Sequence, residues 1–255
     1  MNFDRLIIAD DFGIDEMNDE VMLNLCFAEK INGVSLFSNF ITQSSVDKLL
    51  IARKQTGTKI GMHFNLTLDA DKKQITKVHI LLLKSMLGLI DKKLVAESFE
   101  SQLIQFKEKF MFYPDFIDGH EHVHAFPIIR KIICNRLSKM DYSGFVRYVG
   151  SKSSKILLRS LKYQFFLKFL TLEMIAINQK KELIKNKLDF NGIFDGLVPH
   201  GKSSQLIEIL KKVHAAEESK SLLIMCHPGV RREGMSNNFF FNKDREIEKN
   251  FLLDQ

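Results

Sequence analysis

The chain of 255 residues has only three cysteines, Cys26, Cys134 and Cys226, set far apart and in no CxxC pair. This excludes a disulfide framework and a cysteine-built zinc site, and it fits reduced thiols packed in a core. Long apolar runs are also missing. The longest attempt, 163–177, is interrupted by Lys168 and Glu173, whereas a membrane span needs roughly 18 apolar residues. The first residues, Met1-Asn2-Phe3-Asp4-Arg5, lack the basic start and long apolar stretch of a secretory leader, so none is expected. These absences lead us to expect a cytoplasmic location, with peripheral contact to the inner membrane left open. There is no internal repeat, no low-complexity tract and no recognised nucleic-acid reader motif. The net charge of +6 therefore makes no case for nucleic acid. It leaves an anionic partner or a membrane surface open.

What is present is an ordinary globular composition, 45% hydrophobic and 27% charged, long enough for a single domain over 1–255 with a substantial core. Short, nearly continuous apolar runs at 5–9, 34–38, 59–65, 116–118, 145–149 and 222–226 predict buried parallel strands. Helical spacing predicts helices over 16–30, 46–54, 94–110 and 204–215. Strands and helices that alternate imply an α/β fold with a parallel sheet or barrel. One segment breaks the rhythm. Residues 151–189 carry nine Lys/Arg against three Asp/Glu, with Phe165, Phe166 and Phe169 among them. They predict an inserted basic helical region. It is either a solvated helix packed on the barrel, or a lid or surface that meets an anionic or lipid-linked partner.

The polar clusters fall where the predicted strands end, which is the working face of parallel α/β proteins. Asp10 and Asp11 follow the first strand, inside Ala9-Asp10-Asp11-Phe12-Gly13. Adjacent carboxylates after a buried strand are electrostatically costly unless a cation or a proton relieves them, although a plain turn would use the same residues. His63 lies near the end of the third strand, in Gly61-Met62-His63-Phe64-Asn65-Leu66-Thr67. There Gly61 permits close backbone approach, and Asn65 and Thr67 add polar groups. His120, His122 and His124 follow the fourth strand. In an extended backbone they would share one face with Asp118, as three metal-ligating or proton-carrying imidazoles. His227, in Cys226-His227-Pro228-Gly229, sits where Pro and Gly end a strand sharply. His79, His200 and His214 receive no role.

Four of these motifs, in this order, resemble the YdjC-like carbohydrate deacetylases, the group that includes chitooligosaccharide deacetylase. They are the ADDFG box at 9–13, the G-hydrophobic-H-x-x-L-T box at 61–67, the D-G-H-x-H-x-H box at 118–124 and the CHPG box at 226–229. The resemblance implies a variant (β/α) TIM-like barrel that hydrolyses an N-acetyl group from an acetylated amino sugar. It implies one divalent metal ion, magnesium or zinc, held by Asp11, His63 and His120. It also implies Asp10 as general base, and His227 as acid or charge stabiliser beside the scissile group. His122, His124, Asn65 and Asp118 would support the ligands or contact the sugar, and a homodimer stays open. Glu121 interrupts the histidine box. The basic segment and the following Leu188-Asp189-Phe190-Asn191-Gly192 look closer to the hopanoid-biosynthesis-associated branch, which leaves a glycolipid or lipid-linked sugar open. Two other functions compete with this reading: another metal-dependent amidase or phosphoesterase, and a non-catalytic carbohydrate-binding protein on the same barrel.

Overall fold

A computed structural model of the chain describes residues 5–151, 166–196, 207–208, 221–232 and 239–254. Its elements, in chain order, are β1 (Arg5–Phe12), α1 (Glu16–Phe27), β2 (Gly33–Leu36), α2 (Gln43–Thr56), β3 (Lys59–Phe64), α3 (Val78–Met86), α4 (Lys92–Phe110) and β4 (Phe116–Gly119). A 3-10 turn (His120–Ala125) follows, then α5 (Pro127–Lys139), β5 (Phe145–Val146), α6 (Phe166–Lys185), β6 (Asp189–Phe190), β7 (Ile193–Asp195), β8 (Leu222–Cys226) and α7 (Lys243–Leu253). The strands form one sheet in the order β6-β5-β4-β3-β2-β1-β8-β7, and the pairs are parallel.

Only Asn191 and Gly192 separate β6 from β7, yet these two strands occupy opposite edges of the sheet. The sheet has therefore curled until its edges are consecutive pieces of chain. Asn191 ties the seam. Its side chain accepts from Tyr148 N at 2.7 Å and donates to Tyr148 O at 2.9 Å, and Phe194 N donates to Gly150 O at 3.1 Å. This is the α/β, TIM-like barrel architecture expected, in a variant with very short strands at the seam.

The expected strands all form, shifted by a few residues at their ends, because apolar runs buried on both faces leave no other stable place for the chain. The interior strands β2 and β4 and the five residues of β8 are fully buried. Helix ends follow local chemistry. Asp15 caps α1 by accepting from Met17 N and Asn18 N, Asp91 caps α4 in the same way, and Gly57 at φ 72° closes α2 in the left-handed conformation. Pro127 opens α5, where its missing N–H costs nothing. Within the basic segment 151–189, α6 makes the crossover from β5 to β6; residues 152–165, including Lys155, Arg159 and Lys162, lie outside the described residues, as does most of the helix expected at 204–215.

Gly61 bears out its expected role. A Cβ there would lie 2.2 Å from the Phe116 ring, which is stacked on Phe145 at 5.2 Å. Gly61→Ala is expected to destabilise the fold by about 1–3 kcal/mol through overpacking. Urea unfolding reads this directly, and an unchanged midpoint would contradict the packing.

Candidate metal and catalytic centre

The centre begins with an irregularity in β1. Ala9 pairs with Val34 and Phe12 with Leu36, so three steps along β1 face two along β2. That extra residue is a bulge at Asp10 and Asp11, and Asp11 takes a left-handed φ of 69°. In a regular strand neighbouring side chains point to opposite faces; a bulge re-aims one of them. Both carboxylates here are buried and both approach His63: one Asp11 oxygen and one Asp10 oxygen each fall in a buried donor cluster that includes it.

Asp11 Oδ1 lies 3.4 Å from His63 Nε2 and 3.1 Å from His120 Nδ1. These three ligand atoms are within 4.8 Å of one another. Phe37, just beyond β2, packs edge-on against both rings at 4.9 and 5.3 Å, and Phe240 stacks on His120 at 6.0 Å. The other oxygen, Asp11 Oδ2, is bound by the buried guanidinium of Arg245 from α7. Burial disfavours the Asp11 carboxylate, but Arg245 and the two imidazoles outweigh it and hold the carboxyl well below its ordinary value.

His63 is oriented from behind. Its Nδ1 is 2.6 Å from Asp118 Oδ1, and Ser35 Oγ donates to the same carboxylate oxygen. The acceptor Asp118 fixes the tautomer with hydrogen on Nδ1 and leaves Nε2 facing Asp11, the arrangement that supports histidine ligands in metal sites. A second cluster, Asp10, His63 and Asp118, also has three donor atoms within 4.8 Å. It is the poorer candidate, because both Asp10 oxygens are taken by Arg147 at 2.6 and 2.7 Å and His63 Nδ1 is committed to Asp118. The donor set of two imidazoles and one ionised carboxylate, buried and converging on one oxygen, fits a divalent cation.

Arg147 stands just after β5 and is completely buried. It bridges two carboxylates, Asp10 as above and Asp118 Oδ2 at 2.6 Å. Burial, followed by the nearby Asp118 charge, raises the Asp10 carboxyl above its ordinary value against the opposing pull of Arg147. Asp118 moves the other way. Burial disfavours its charge, but Arg147 and His63 hold it below the ordinary range. Adjacent Asp10 and Asp11 are thus shifted in opposite directions, the pattern by which environment divides one residue type into two roles.

The histidine box departs from the extended backbone expected for it. Residues His120–Ala125 form a 3-10 turn, with Glu121 at φ 53° and His122 at φ 62°. Two successive left-handed residues destroy the period-two alternation, so the three imidazoles do not share a face. His120 meets Asp11. His122 is buried edge-on against Phe194 at 5.4 Å, and His124 Nε2 lies 2.9 Å from Arg147 O. Asn65 is also turned to local work. Its Oδ1 accepts from Thr67 N and Leu68 N at 3.0 and 2.9 Å, and its Nδ2 donates to Leu68 O at 2.8 Å, which shapes the loop after β3.

A cavity of about 980 Å³ opens over the centre and is lined by Asp10, His63, His120, His122, Arg245 and His227, among others. His227 Nε2 is 4.0 Å from Asp11 Oδ2. Burial, reinforced by Arg245 and His63, drives its imidazole down to about 3 against the pull of Asp11, so the ring is neutral at neutral pH. Its backbone N–H donates to Glu248 of α7. Of the histidines without an assigned role, His79 lines the cavity from α3, while His200 and His214 lie outside the described residues.

Residues 5–255 match the family described as YdjC-like protein. The chain belongs to the YdjC-like family. This YdjC-like chain is 30% identical over 146 residues to the chitooligosaccharide deacetylase of Escherichia fergusonii, covering 52% of the chain and 55% of that protein. The match therefore spans about half of the relative's length. A solved structure from Enterococcus faecalis, of a protein named for cellobiose-phosphate cleavage, superposes over 100% of this chain and 92% of its own, with a TM-score of 0.67 and 17% identity. At that identity the likeness shows the fold alone.

The sequence concealed several parts of this YdjC-like centre. Arg147 sits inside the apolar run 145–149 and reads as strand, although a charged residue in a doubly buried strand is itself a signal, since it needs partners. Ser35 and Phe37 look like ordinary strand residues. Arg245 and Glu248 lie on α7, which contributes them from the far end of the chain with no local motif.

Proposed function

We propose that this protein removes the N-acetyl group from an acetylated amino sugar, with Asp11, His63 and His120 holding one divalent cation and Asp10 serving as general base. The observation that carries the reading is the convergence of Asp11 Oδ1 with His63 Nε2 and His120 Nδ1, beside a second carboxylate whose affinity for protons is raised. Bound there, zinc or magnesium would polarise the acetyl carbonyl and acidify a water. Asp10 takes the proton of the attacking water, and its orientation is set by the two Arg147 contacts at 2.6 and 2.7 Å. The same Asp10 carboxyl can then return that proton to the departing nitrogen. His227, held neutral, serves as a hydrogen-bond donor to the carbonyl oxygen as charge grows on it, which favours the charge-stabilising of its two expected roles. His122, on the cavity wall, is placed to meet the sugar, while Asp118 and His124 steady His63 and the strand end. The reaction is tested by its products. Acetate and a primary amine should appear in equal amounts from an N-acetylated sugar; turnover confined to phosphate esters would contradict the reading.

A further prediction concerns protons. Burial pulls the His63 imidazole down, but Asp118 and Asp11 outweigh it and raise it to about 10 in the metal-free protein. To act as a ligand, His63 must surrender its Nε2 proton. Zinc binding is therefore expected to release about one proton and to tighten about tenfold per pH unit between roughly pH 7 and pH 9. Calorimetry in buffers of different ionisation enthalpy measures the release, and pH-independent binding with none would contradict it. His63→Ala should lose both the bound metal and the proton release.

A further inference from the structure

Six of the nine residues of helix α3 are apolar, and of these Val78, Leu81 and Leu82 are half-buried against the core. Its outward side carries apolar residues too, where a surface helix ordinarily places polar ones. Here Ile80, Leu83, Met86, Leu87, Leu89 and Leu94 are 41–68% exposed. These six fall within fifteen consecutive positions, which makes a local apolar surface larger than scattered single residues would give. The same stretch is basic. Between residues 72 and 93 lie Lys72, Lys73, Lys77, Lys84, Lys92 and Lys93, with Asp91 the one acid, and at the two ends Lys73 pairs with Asp71 and Lys93 with Glu97. Asp91 is occupied in capping α4. Lys77, Lys84 and Lys92 make no ion pair with a described residue.

The surface also adjoins the cavity. Val78, His79 and Leu82 on the inner side of α3 line it, and Lys168, Thr171 and Leu172 of α6 line it from another side. Met174 and Ile177 of α6 are likewise exposed.

We propose that α3 and the following residues up to Leu94 dock on the surface of an anionic lipid bilayer, so that the cavity opens toward the lipid. At nine residues, α3 is far too short to cross a hydrocarbon core about 30 Å thick. It can lie in the interface, with leucines at the acyl boundary and lysines among anionic headgroups. A second copy is the poorer occupant. A symmetric pairing through this face would set Lys77, Lys84 and Lys92 against their own copies, and like charges in contact oppose association. The lysines of α3 and its flanks lie outside the basic segment 151–189 that sequence alone singled out, and the proposal does not depend on the bond the enzyme cleaves.

The chain contains no tryptophan, so one introduced indole reports a single position. Leu87→Trp, at an exposed site, is expected to shift its emission to the blue with vesicles of phosphatidylcholine and phosphatidylglycerol, and much less with phosphatidylcholine alone. Ile51→Trp, exposed on α2, should not shift. Adding Leu83→Glu to Leu87→Trp should weaken vesicle binding by at least about tenfold, and changing Lys77, Lys84 and Lys92 to Gln should abolish the preference for the anionic lipid. These residues are exposed, and circular dichroism confirms that each variant is folded. No shift on either vesicle overturns the proposal, as does an equal shift at Ile51→Trp or an equal response to both lipids. A blue shift that follows protein concentration without lipid, with a dimer in sedimentation, also overturns it in favour of a second copy.

Discussion

Asp10→Asn is expected to lower kcat by roughly a hundred- to ten-thousand-fold while leaving metal content unchanged. The two effects separate because Asp10 contributes no atom to the favoured ligand cluster of Asp11, His63 and His120. The amide retains the shape of the carboxylate and one acceptor for Arg147, so the barrel should remain folded, but it cannot take a proton from water. The measurement is steady-state acetate release together with metal analysis of the purified variant. Loss of metal along with activity would make Asp10 a ligand and return the pair to a single role. Activity within about threefold of wild type would remove the general base from the account.

Arg147→Met is expected to be the most destabilising single change at the centre, at about 3–5 kcal/mol, because it strands two buried carboxylates. Asp10 and Asp118 each pair with this guanidinium, and both are buried. The cost should depend on pH with a definite sign. The folded Asp10 carboxyl already holds its proton more tightly than an unfolded one, and loss of Arg147 raises it further. Stability therefore falls as pH rises from the unfolded value toward the folded one, since the unfolded chain gives up its proton first. Urea unfolding should show a larger deficit at pH 8 than at pH 5.5. Combining Arg147→Met with Asp118→Asn should recover part of the loss, and an additive or worse double variant would contradict the bridging role.

What the sequence made legible at this site, and what it hid, divide along a physical line. Buried strands show as apolar runs, and the polar residues at their carboxyl ends are conspicuous because nothing in a core excuses them. Asp10, Asp11, His63, His120 and His227 were readable for that reason, though they come from four strands. The bulge that turns both aspartates to one side was hidden, since Ala9 to Phe12 carries no glycine or proline to mark it. The histidine box misled for a related reason. Its alternation imitates a strand, but Glu121 and His122 adopt left-handed backbone under tertiary constraint and without the residue type that favours it. Arg245 could not have been placed, because its meeting with Asp11 joins positions 234 residues apart. In helix α3 the inward positions Val78, Leu81, Leu82 and Ser85 keep helical spacing, but the apolar residues between them blur it into a continuous run, in which strand and helix look alike.

The central claim is that one metal ion on Asp11, His63 and His120 hydrolyses an acetamide on a sugar. Its most direct test is acetate release from a panel of N-acetylated amino sugars by the protein as purified, after chelation, and after readdition of zinc or magnesium. The account predicts release from at least one sugar, loss with chelator, recovery with the metal, and no recovery in His63→Ala. Release that persists through chelation, or no acetate from any sugar by the metal-loaded protein, would contradict it.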